Sequence, residues 1–543
     1  MVFARRSTTL LAAIIASCAM VLSLTACTSD NKTVVDGQTT VTSNSAGGVA
    51  VFTPSDGITL NQQVPLNKWA KLVPDLTKAL VDAGFKKGDI NHTTSDSLAK
   101  QSRAIQDFVV DHLSNNTTDD SGIAIAPDNM TLLVAPVVEA DASTRQYGDY
   151  VSQNLSTNDA TDGEATSDGE SSEDDSSKDD SSNTESDSTA SDEQAQAVDR
   201  LVSSLKLAKE SGMHVVLLGN SIEGYKPDAF VKFSDAQTIG KLQAEKMVSK
   251  LKLDKASKDN PKYIEVLLPY TAVDEKGNAN DSTFAQEAFR GIWQVLGSYY
   301  QRGVVESPSG TLDGKSTEND WQAVAYDAAK EGSTAKVLDK RLAKTDGQST
   351  LTRIDGIITM NDYIASEVVK ELDDLGYTGS AADINPQITI SGIVGNITGK
   401  KDLSRDAVPD PIKSPENDNA NDSSSSDDDA DKDTSASDKD RDSQWPLVTG
   451  YGAYVSNIPS IVNGKQWMTG MEDRQTIATD IAQACAKLNK DEALNSMPSI
   501  RNSEVGGVKK IPTISEPLLA VSASNLKSAL IDPGYISLAD AGL

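Results

Sequence analysis

The stretch "LVTGYGAYVSNIPSIVNGKQWMTGMED" (Leu447–Asp473) determines how the fold is interpreted. An apolar, β-branched run ends at a glycine-rich turn, and an amphipathic segment and a second apolar run follow. Either the turn binds a ligand at the end of a strand, or it only reverses the chain. A dinucleotide-binding G-x-G-x-x-G is disfavoured, because the third glycine position holds Val455 and no acidic partner follows at a suitable distance.

The same alternation of short apolar runs and helix-length amphipathic segments continues outward along the chain. Apolar runs between helices indicate parallel sheets covered on both faces. Two blocks of this kind predict an α/β fold with two doubly wound parallel-sheet lobes. The predicted strands are 48–53, 122–127, 214–219, 263–269, 354–360 and 387–392, and the predicted helices are 67–85, 97–113, 235–251, 283–300 and 364–377.

The N-terminus has the pattern of an export signal. Two arginines precede an apolar run (10–24) that is too short to span a bilayer. The run ends in Leu-Thr-Ala-Cys, which resembles the lipobox of bacterial lipoproteins and implies a lipid on Cys27. We therefore predict a signal peptide (1–26), a flexible tether (27–49) and an extracytoplasmic, lipid-anchored location at the cell membrane.

The cysteines fit this location without an intramolecular disulfide. Cys18 leaves with the signal peptide, Cys27 carries the lipid, and Cys485 has no partner. Cys485 lies in an amphipathic helical pattern, which predicts a buried thiol.

Two acidic inserts, predicted as 155–197 and 400–445, are almost free of apolar residues, so we expect them to be disordered. Residues 156–195 hold 14 acidic side chains and one lysine, and residues 414–444 hold 11 acidic and three basic ones. These inserts carry most of the formal charge of −30, so the acidity does not describe a binding site. It does argue against a nucleic-acid partner.

In parallel sheets, ligands bind beyond the carboxyl ends of the strands. The residues at those positions are polar, aromatic or glycine, and none forms a nucleophile–base pair. No G-x-S-x-G, P-loop or H-E-x-x-H motif is present, so we predict neither an enzyme nor a metal or cofactor site. The strand-end candidates are Pro127-Asp128, Gly219-Asn220, Pro269-Tyr270, Asn361-Asp362 and Gly450-Tyr451-Gly452.

The order of these segments resembles the type I periplasmic sugar-binding proteins of ABC importers, nearest to the xylose-binding and multiple-sugar-binding group. The resemblance implies two lobes, joined by three crossings near Lys232, 449 and 500, that close on a sugar. It places 50–232 plus 450–500 in lobe 1, and 233–449 plus 501–543 in lobe 2. The resembling segments include "NKWAKLVPDLTKALVDAGF", "HVVLLGNSI", "ITMNDYIASEVVKELDDLGY", "LVTGYGAYVSNIPSIVNGKQWMT" and "IPTISEPLLAVSASNLKSALIDPGYI".

A sugar site needs an aromatic plate for the apolar face of the ring and polar side chains for its hydroxyls. Trp69 stands where the family has a stacking aromatic, although its helical stripe is equally consistent with a core residue. Asp235 and Asn361 match polar positions of the family, with helix N-capping as the alternative. The full set of predicted ligand-binding residues is Lys68, Trp69, Asn220, Asp235, Asn361, Asp362 and Tyr451.

Two positions depart from the family pattern. Relatives have Asp-Arg where this chain has Gly219-Asn220, and Gly-Gln-Asp-Ala-Glu where it has residues 450–454. Both changes remove carboxylates that would grip hydroxyls, although Tyr451 can still stack on a ligand.

Two functions follow from these patterns. The first is a lipid-anchored solute-binding protein that passes a small ligand, expected to be a carbohydrate, to an ABC permease. The alternative is a non-transport receptor or surface-interaction protein on the same scaffold, with an altered or decayed sugar pocket. The lost carboxylates and the acidic inserts motivate that alternative.

Overall fold

The structure is a computed structural model that describes residues 33–35, 38–40, 46–55, 65–115, 129–138, 144–150, 153–157, 185–273, 279–343, 351–381 and 445–543. The predicted signal peptide, Cys27, and the predicted strands at 122–127 and 387–392 lie outside these residues, as does most of both acidic inserts. The chain divides into two compact units, 1–45 and 46–543.

The first two strands belong to the unit 1–45, and all other strands of the described residues belong to the unit 46–543. The strands are β1 (Thr33–Val35), β2 (Gln38–Thr40), β3 (Gly48–Pro54), β4 (Ile90–Ser95), β5 (Met130–Val134), β6 (Asn154–Leu155), β7 (His214–Leu218), β8 (Ser221–Ile222), β9 (Ala229–Lys232), β10 (Lys262–Val266), β11 (Leu268–Pro269), β12 (Val305–Glu306), β13 (Ala325–Tyr326), β14 (Gly356–Ile358), β15 (Leu447–Tyr451), β16 (Met468–Met471), β17 (Ile500–Val505), β18 (Val508–Ser515) and β19 (Leu519–Ser522).

The α-helices separate most of the longer strands. They are α1 (Trp69–Asp82), α2 (Leu98–Asn115), α3 (Glu185–Glu210), α4 (Ala236–Leu251), α5 (Thr283–Gln301), α6 (Trp321–Val324), α7 (Ser333–Arg341), α8 (Asp362–Leu375), α9 (Ile458–Val462) and α10 (Arg474–Leu488). Within the described ranges, none of them combines the length and apolarity needed to cross a bilayer.

In the first unit, β1 and β2 pair antiparallel, with Thr33 opposite Thr40. They lie within the predicted tether (27–49), and β3 of the second unit already begins at Gly48. The sequence prediction missed this pair, because two three-residue strands are too short to show a clear alternation.

The second unit contains two large sheets. The first has the strand order β17-β18-β9-β7-β5-β3-β4, and the second has the order β12-β10-β14-β15-β16-β19. All neighbours are parallel except β17 with β18 and β16 with β19. We call the two sheets and their helices lobe 1 and lobe 2. The predicted α/β class with two doubly wound, mostly parallel sheets is confirmed.

Helices cover both faces of each sheet because the strands are apolar on both sides. In β3, Val49 and Val51 pack toward α1 and α10, whereas Ala50 and Phe52 pack toward α2 and α3. In lobe 2, α4 and α5 cover one face, and α7 and α8 cover the other. Cys485 of α10 is a buried free thiol, as predicted, and burial raises its pKa above the usual range.

The chain crosses between the lobes three times, at 233–235, at 472–473 and at 516–518. The first crossing lies where the sequence placed it, next to Lys232. The second and third are corrections, since they were expected near 449 and 500.

The lobe boundaries are corrected with the crossings. Residues 450–471 belong to lobe 2, because Thr449 to Tyr451 pair in register with Met468 to Gly470 of the same sheet. Residues 501–515 belong to lobe 1, because β17 and β18 form an antiparallel hairpin that joins β9. The sequence division had cut the chain at the glycine turn, where the sheet in fact continues.

The insert boundaries change as well. Helix α3 begins at Glu185, so the last part of the predicted insert 155–197 is helical, and Ala197 is buried against lobe 1. Leu155 is also buried, in the short strand β6 that pairs with β8. At the end of the other insert, Trp445 is buried and stacks under the Lys465 ammonium.

Helices α4 and α5 approach closely through two glycines. A Cβ at Gly240 would overlap the carbonyl oxygen of Ala288, and a Cβ at Gly291 would overlap that of Gln237. Gly240→Ala is therefore expected to lower the free energy of unfolding by about 1–3 kcal/mol, despite the better helix propensity of alanine. Urea denaturation checks this. The control Gly314→Ala, whose Cβ meets nothing closer than 3.6 Å, should stay within about 0.5 kcal/mol of the wild type.

Candidate functional site

A seven-residue segment, Thr144–Tyr150, lies between the lobes, and we call it the strap. It follows β5 and contains a single 3₁₀ turn, Arg145–Tyr147. The Asp149 amide donates to the carbonyl oxygen of Asn67 in lobe 1 at 2.8 Å. The Tyr454 hydroxyl of lobe 2 donates to the carbonyl oxygen of Gln146 at 2.7 Å. The strap therefore bonds to both lobes.

At the lobe 1 end, the Asp149 carboxylate joins the start of α1. It accepts from the Lys68 ammonium at 2.7 Å and from the Trp69 amide at 3.1 Å. The Tyr150 hydroxyl donates to the Lys68 carbonyl oxygen at 2.5 Å. A carboxylate at a helix N-terminus also meets the positive end of the helix dipole, which strengthens this attachment.

Trp69 lies in the core beneath this attachment. Its side chain is 2 % exposed, and its ring makes edge contacts with Tyr150 and Phe233 at centroid distances of 5.1 and 5.7 Å. Tyr150 stacks on Phe233 at 4.8 Å. Of the two alternatives that the sequence left open for Trp69, this packing is that of a core residue.

At the lobe 2 end, the ring of Tyr147 fills the space between aromatic side chains. It is 1 % exposed and lies 4.7 Å from the Phe284 ring and 6.2 Å from the Tyr451 ring. Its buried hydroxyl makes no well-formed hydrogen bond to the residues that the structure describes, although the Asn361 side chain lies close enough to act on its pKa. Burial raises the pKa of Tyr147 above its usual range, which keeps the ring neutral.

Asn361 and Asp362 follow β14 at the start of α8. The Asn361 oxygen caps α8 by accepting from the Ile364 amide at 2.9 Å, and its amide nitrogen donates to the Gln146 side chain at 3.1 Å. The cap alternative is therefore realised, while the same side chain also reaches the strap.

The Asp362 carboxylate points away from the strap into lobe 2. It accepts from the Tyr454 amide, the Gln466 side chain and the Thr469 hydroxyl at 2.7–2.9 Å. Burial raises the pKa of Asp362 to about 6, although these donors oppose the shift. Both oxygens are already bonded within lobe 2, so this residue contributes to folding of the loop after β15.

Tyr451 connects the first two crossings. Its hydroxyl lies 2.5 Å from the Ser234 hydroxyl and donates to Glu472 at 3.4 Å. Glu472 also accepts from the Ser234 amide at 2.7 Å. Burial raises the pKa of Glu472 to about 7, and burial likewise raises the pKa of Tyr451 well above its usual range.

Asn220 and Asp235 bond to their own neighbourhoods. Asn220 accepts from the Gln153 amide and donates to the Pro136 carbonyl oxygen, both at 2.9 Å, which fixes the chain just after the strap. Asp235 caps α4 by accepting from Thr238 at 2.7 Å and pairs with Lys232 at 2.8 Å. Although burial acts to raise it, the pKa of Asp235 is lowered by these hydrogen bonds.

The structure thus gathers part of the predicted site around the strap. The predicted residues with a contact to the strap are Lys68, Trp69, Asn361 and Tyr451, and those bonded elsewhere are Asn220, Asp235 and Asp362. Cys27, the predicted lipidation site, lies outside the described residues.

Comparisons with known proteins concern the fold. No protein-family model matches the chain, and no curated protein does. The chain is structurally similar, at low identity, to sugar solute-binding proteins of ABC transporters. A solute-binding protein of Clostridium phytofermentans with bound β-D-glucose shares 16% identity over 91% of this chain and 99% of its own, with a TM-score of 0.44.

Two further structures are similar to the same extent. A carbohydrate transporter solute-binding protein of Chloroflexus aurantiacus in complex with D-glucose has 18% identity over 92% of this chain and 98% of its own, with a TM-score of 0.42. The arabinose-binding protein AraP of Geobacillus stearothermophilus has 10% identity, 89% and 99% coverage, and a TM-score of 0.41. These identities transfer no ligand to this chain.

The sequence prediction missed the residues of the strap itself. They come from "STRQYGDY" (143–150), which has neither helical nor strand periodicity and lies beside an acidic insert. The only signal was a pair of tyrosines, Tyr147 and Tyr150, in an otherwise polar stretch. Without a partner surface, that pair does not distinguish a solvent-exposed loop from a buried one.

Proposed function

We propose that this chain is an extracytoplasmic, lipid-anchored solute-binding protein that captures a carbohydrate between its two lobes and delivers it to an ABC permease. The observation that carries the proposal is the meeting of Lys68, Asn361 and Tyr451 around one small segment between the lobes. Three crossings connect the lobes, which is a geometry that permits hinge closure on a ligand.

The chemistry of this crevice suits a sugar. The Lys68 ammonium and the Asn361 amide nitrogen are donors for hydroxyl oxygens, and the rings of Tyr451 and Phe284 offer apolar faces. Lys68 gives a single-point contact, not a bidentate fork, so its contribution comes mainly from charge. The membrane anchor at Cys27 and the permease are parts of this proposal that rest on the sequence pattern alone.

A sugar that binds should raise the melting temperature of the full chain. At 100-fold excess over Kd, binding adds about 2.7 kcal/mol to the free energy of unfolding, which corresponds to a shift of several degrees. A thermal-shift panel of mono- and oligosaccharides measures this, with glycerol at equal concentration as a solvent control. Absence of any shift across the panel, with a folded protein, contradicts the carbohydrate part of the proposal.

Lys68→Met should weaken binding of an active sugar by about tenfold or more, because a charged hydrogen bond is lost. The matched control is Lys78→Met, which removes an exposed lysine from α1, the helix that Lys68 precedes. Lys68 also pairs with Asp149 of the strap, so both variants are titrated in the Asp149→Ala background, where that pairing is already absent. The titration then separates a contact in the crevice from a general effect of charge. Equal affinities in the two variants would exclude Lys68 from the site.

A second candidate is a non-transport receptor on the same scaffold. One observation favours it: the space between the lobes holds the chain's own Tyr147 ring, so the lobes are held together without a solute. Cross-linking of the membrane-anchored chain in its own cells distinguishes the two functions. A permease as the main partner supports transport, and a sensor or surface protein supports the receptor.

A further inference from the structure

The strap bonds to the two lobes through different residues. Asp149 and Tyr150 bond to the start of α1 in lobe 1. In lobe 2, Gln146 bonds to Asn361 and Tyr454, and the Tyr147 ring contacts the rings of Phe284 and Tyr451. A segment with this distribution of contacts resists separation of the lobes, because opening breaks the contacts at one end or the other.

The contacts of the strap are those that a bound solute would make. Gln146 uses the Asn361 donor, Asp149 uses the Lys68 donor, and the Tyr147 ring takes the position of an apolar face between aromatic side chains. Lys68 and Asp149 are only 17% and 19% exposed in their side chains, so their pairing is partly shielded from solvent.

The strap is covalently attached to lobe 1, which gives it an advantage over a free solute. A tethered group competes at an effective concentration that is on the order of millimolar for short linkers. The buried Tyr147 hydroxyl reduces that advantage, because it makes no well-formed hydrogen bond among the described residues and burying such a polar group is unfavourable. Such a segment can occupy the crevice in the absence of a solute and still be displaced by one.

We infer that residues 144–150 are a built-in competitor for the interlobe crevice, which keep the lobes closed without ligand and must be displaced before a solute binds. This regulation rests on the proposed function for its competition with sugar, but the occupation of the crevice does not. A displacing solute must offer acceptor atoms to both Lys68 and Asn361 and an apolar face to Tyr451.

Hydrogen–deuterium exchange of the full, ligand-free chain tests the occupation directly. The Asp149 amide, bonded to Asn67, should exchange more than about tenfold slower than an unstructured amide. A tenfold slower exchange corresponds to a free energy of about 1.4 kcal/mol for detaching the strap from lobe 1. The amide of residue 147, bonded to the Thr144 carbonyl oxygen at 2.9 Å, should be protected as well, and Tyr147→Ala should remove that protection and leave the amides of β3 and β5 unchanged. Tyr147→Phe should keep it, since the hydroxyl makes no well-formed hydrogen bond to a described residue.

A second variant tests the same inference in case Tyr147→Ala does not fold. Asp149→Ala releases the strap from lobe 1 without touching the aromatic cluster of lobe 2, and it should also raise the exchange rate of the strap. Tyr299→Ala is the matched control, because this tyrosine of α5 is partly exposed and its hydroxyl bonds to Asp254, not to the strap. An unprotected strap in the wild type, or equal protection in the wild type and both strap variants, overturns the inference.

The sugar panel separates this inference from the proposed function. Release of the strap should tighten the apparent Kd of an active sugar by at least about tenfold, since the competent state is no longer a minor one. Equal affinity in the wild type and Tyr147→Ala overturns the competition and leaves the proposed function standing. Protection that is lost on strap release, with no sugar active on either chain, supports the strap and contradicts the proposed function.

Discussion

Trp69→Ala is expected to lower the free energy of unfolding by about 3–5 kcal/mol, which is the range for an aromatic side chain removed from a packed core. The side chain is 2 % exposed and contacts the rings of Tyr150 and Phe233, and a Cβ added at Gly219 would lie 3.6 Å from it. These neighbours belong to the strap, to the first crossing and to the turn after β7, so the cavity cannot collapse through one movement. Urea denaturation, followed by circular dichroism, measures the loss.

The matched control is Trp321→Ala in lobe 2. Trp321 is only partly buried and makes a single edge contact with Tyr270 at 5.2 Å, so its loss should cost no more than about 1.5 kcal/mol. A Trp69→Ala protein as stable as the wild type would mean that the ring faces the crevice instead of the core. Loss of ligand binding without loss of stability would then restore the stacking interpretation.

The class of fold was predictable from periodicity, but the choice among neighbouring strands was not. The strand paired between β3 and β7 is Met130–Val134, for which the sequence analysis made no strand prediction. A short apolar run of this kind is compatible with a strand or with a buried helical segment, so periodicity alone does not select it. The predicted strand "GIAIAP" (122–127) stays a prediction. Residues 122–127 lie outside the described part of the chain.

The lobe boundaries failed for a related reason. A glycine turn after an apolar run marks the end of a strand, but not whether the next strand joins the same sheet. Here the next strand, Met468–Met471, pairs parallel with β15 in the same sheet, which moves the second crossing to 472–473. The hairpin of β17 and β18 could not be assigned to a lobe for a similar reason. Most residues of β17 are at least partly exposed, so the sequence has no apolar pattern that shows that β18 pairs with β9 in lobe 1.

For the candidate site, the expectation that ligands bind beyond the carboxyl ends of parallel strands identified residues near the crevice. It did not predict which of their side chains are used in other hydrogen bonds. Asn361 and Tyr451 do lie beside the crevice, because parallel strands end at a common edge. Asp235 also follows its strand as expected, but its carboxylate is used as a helix cap. The strap was not predictable, because its position depends on contacts with both lobes and not on any local pattern.

Glu472→Gln is expected to make the protein more stable at pH 8 and to reduce the dependence of its stability on pH. Burial raises the pKa of Glu472 from 4.5 to about 7, and Asp235 adds to this shift, while the hydrogen bonds from Ser234 and Tyr451 oppose it. The folded chain therefore holds a proton between these pH values that the unfolded chain has released. Its stability falls as the pH rises through this window, by about 3 kcal/mol at about 1.4 kcal/mol per pKa unit.

Glutamine keeps an oxygen acceptor for the Ser234 amide but carries no charge, so the variant avoids the cost of ionising a buried group. The difference in unfolding free energy between the variant and the wild type should be near zero at pH 4 and about 3 kcal/mol in favour of the variant at pH 8. Glu245→Gln, which removes an exposed carboxylate on α4, is the control for a general effect of charge. A pH-independent difference would mean that Glu472 is ionised in the folded state throughout. The hydrogen bonds that join the first and second crossings would then stabilise the carboxylate more than burial destabilises it.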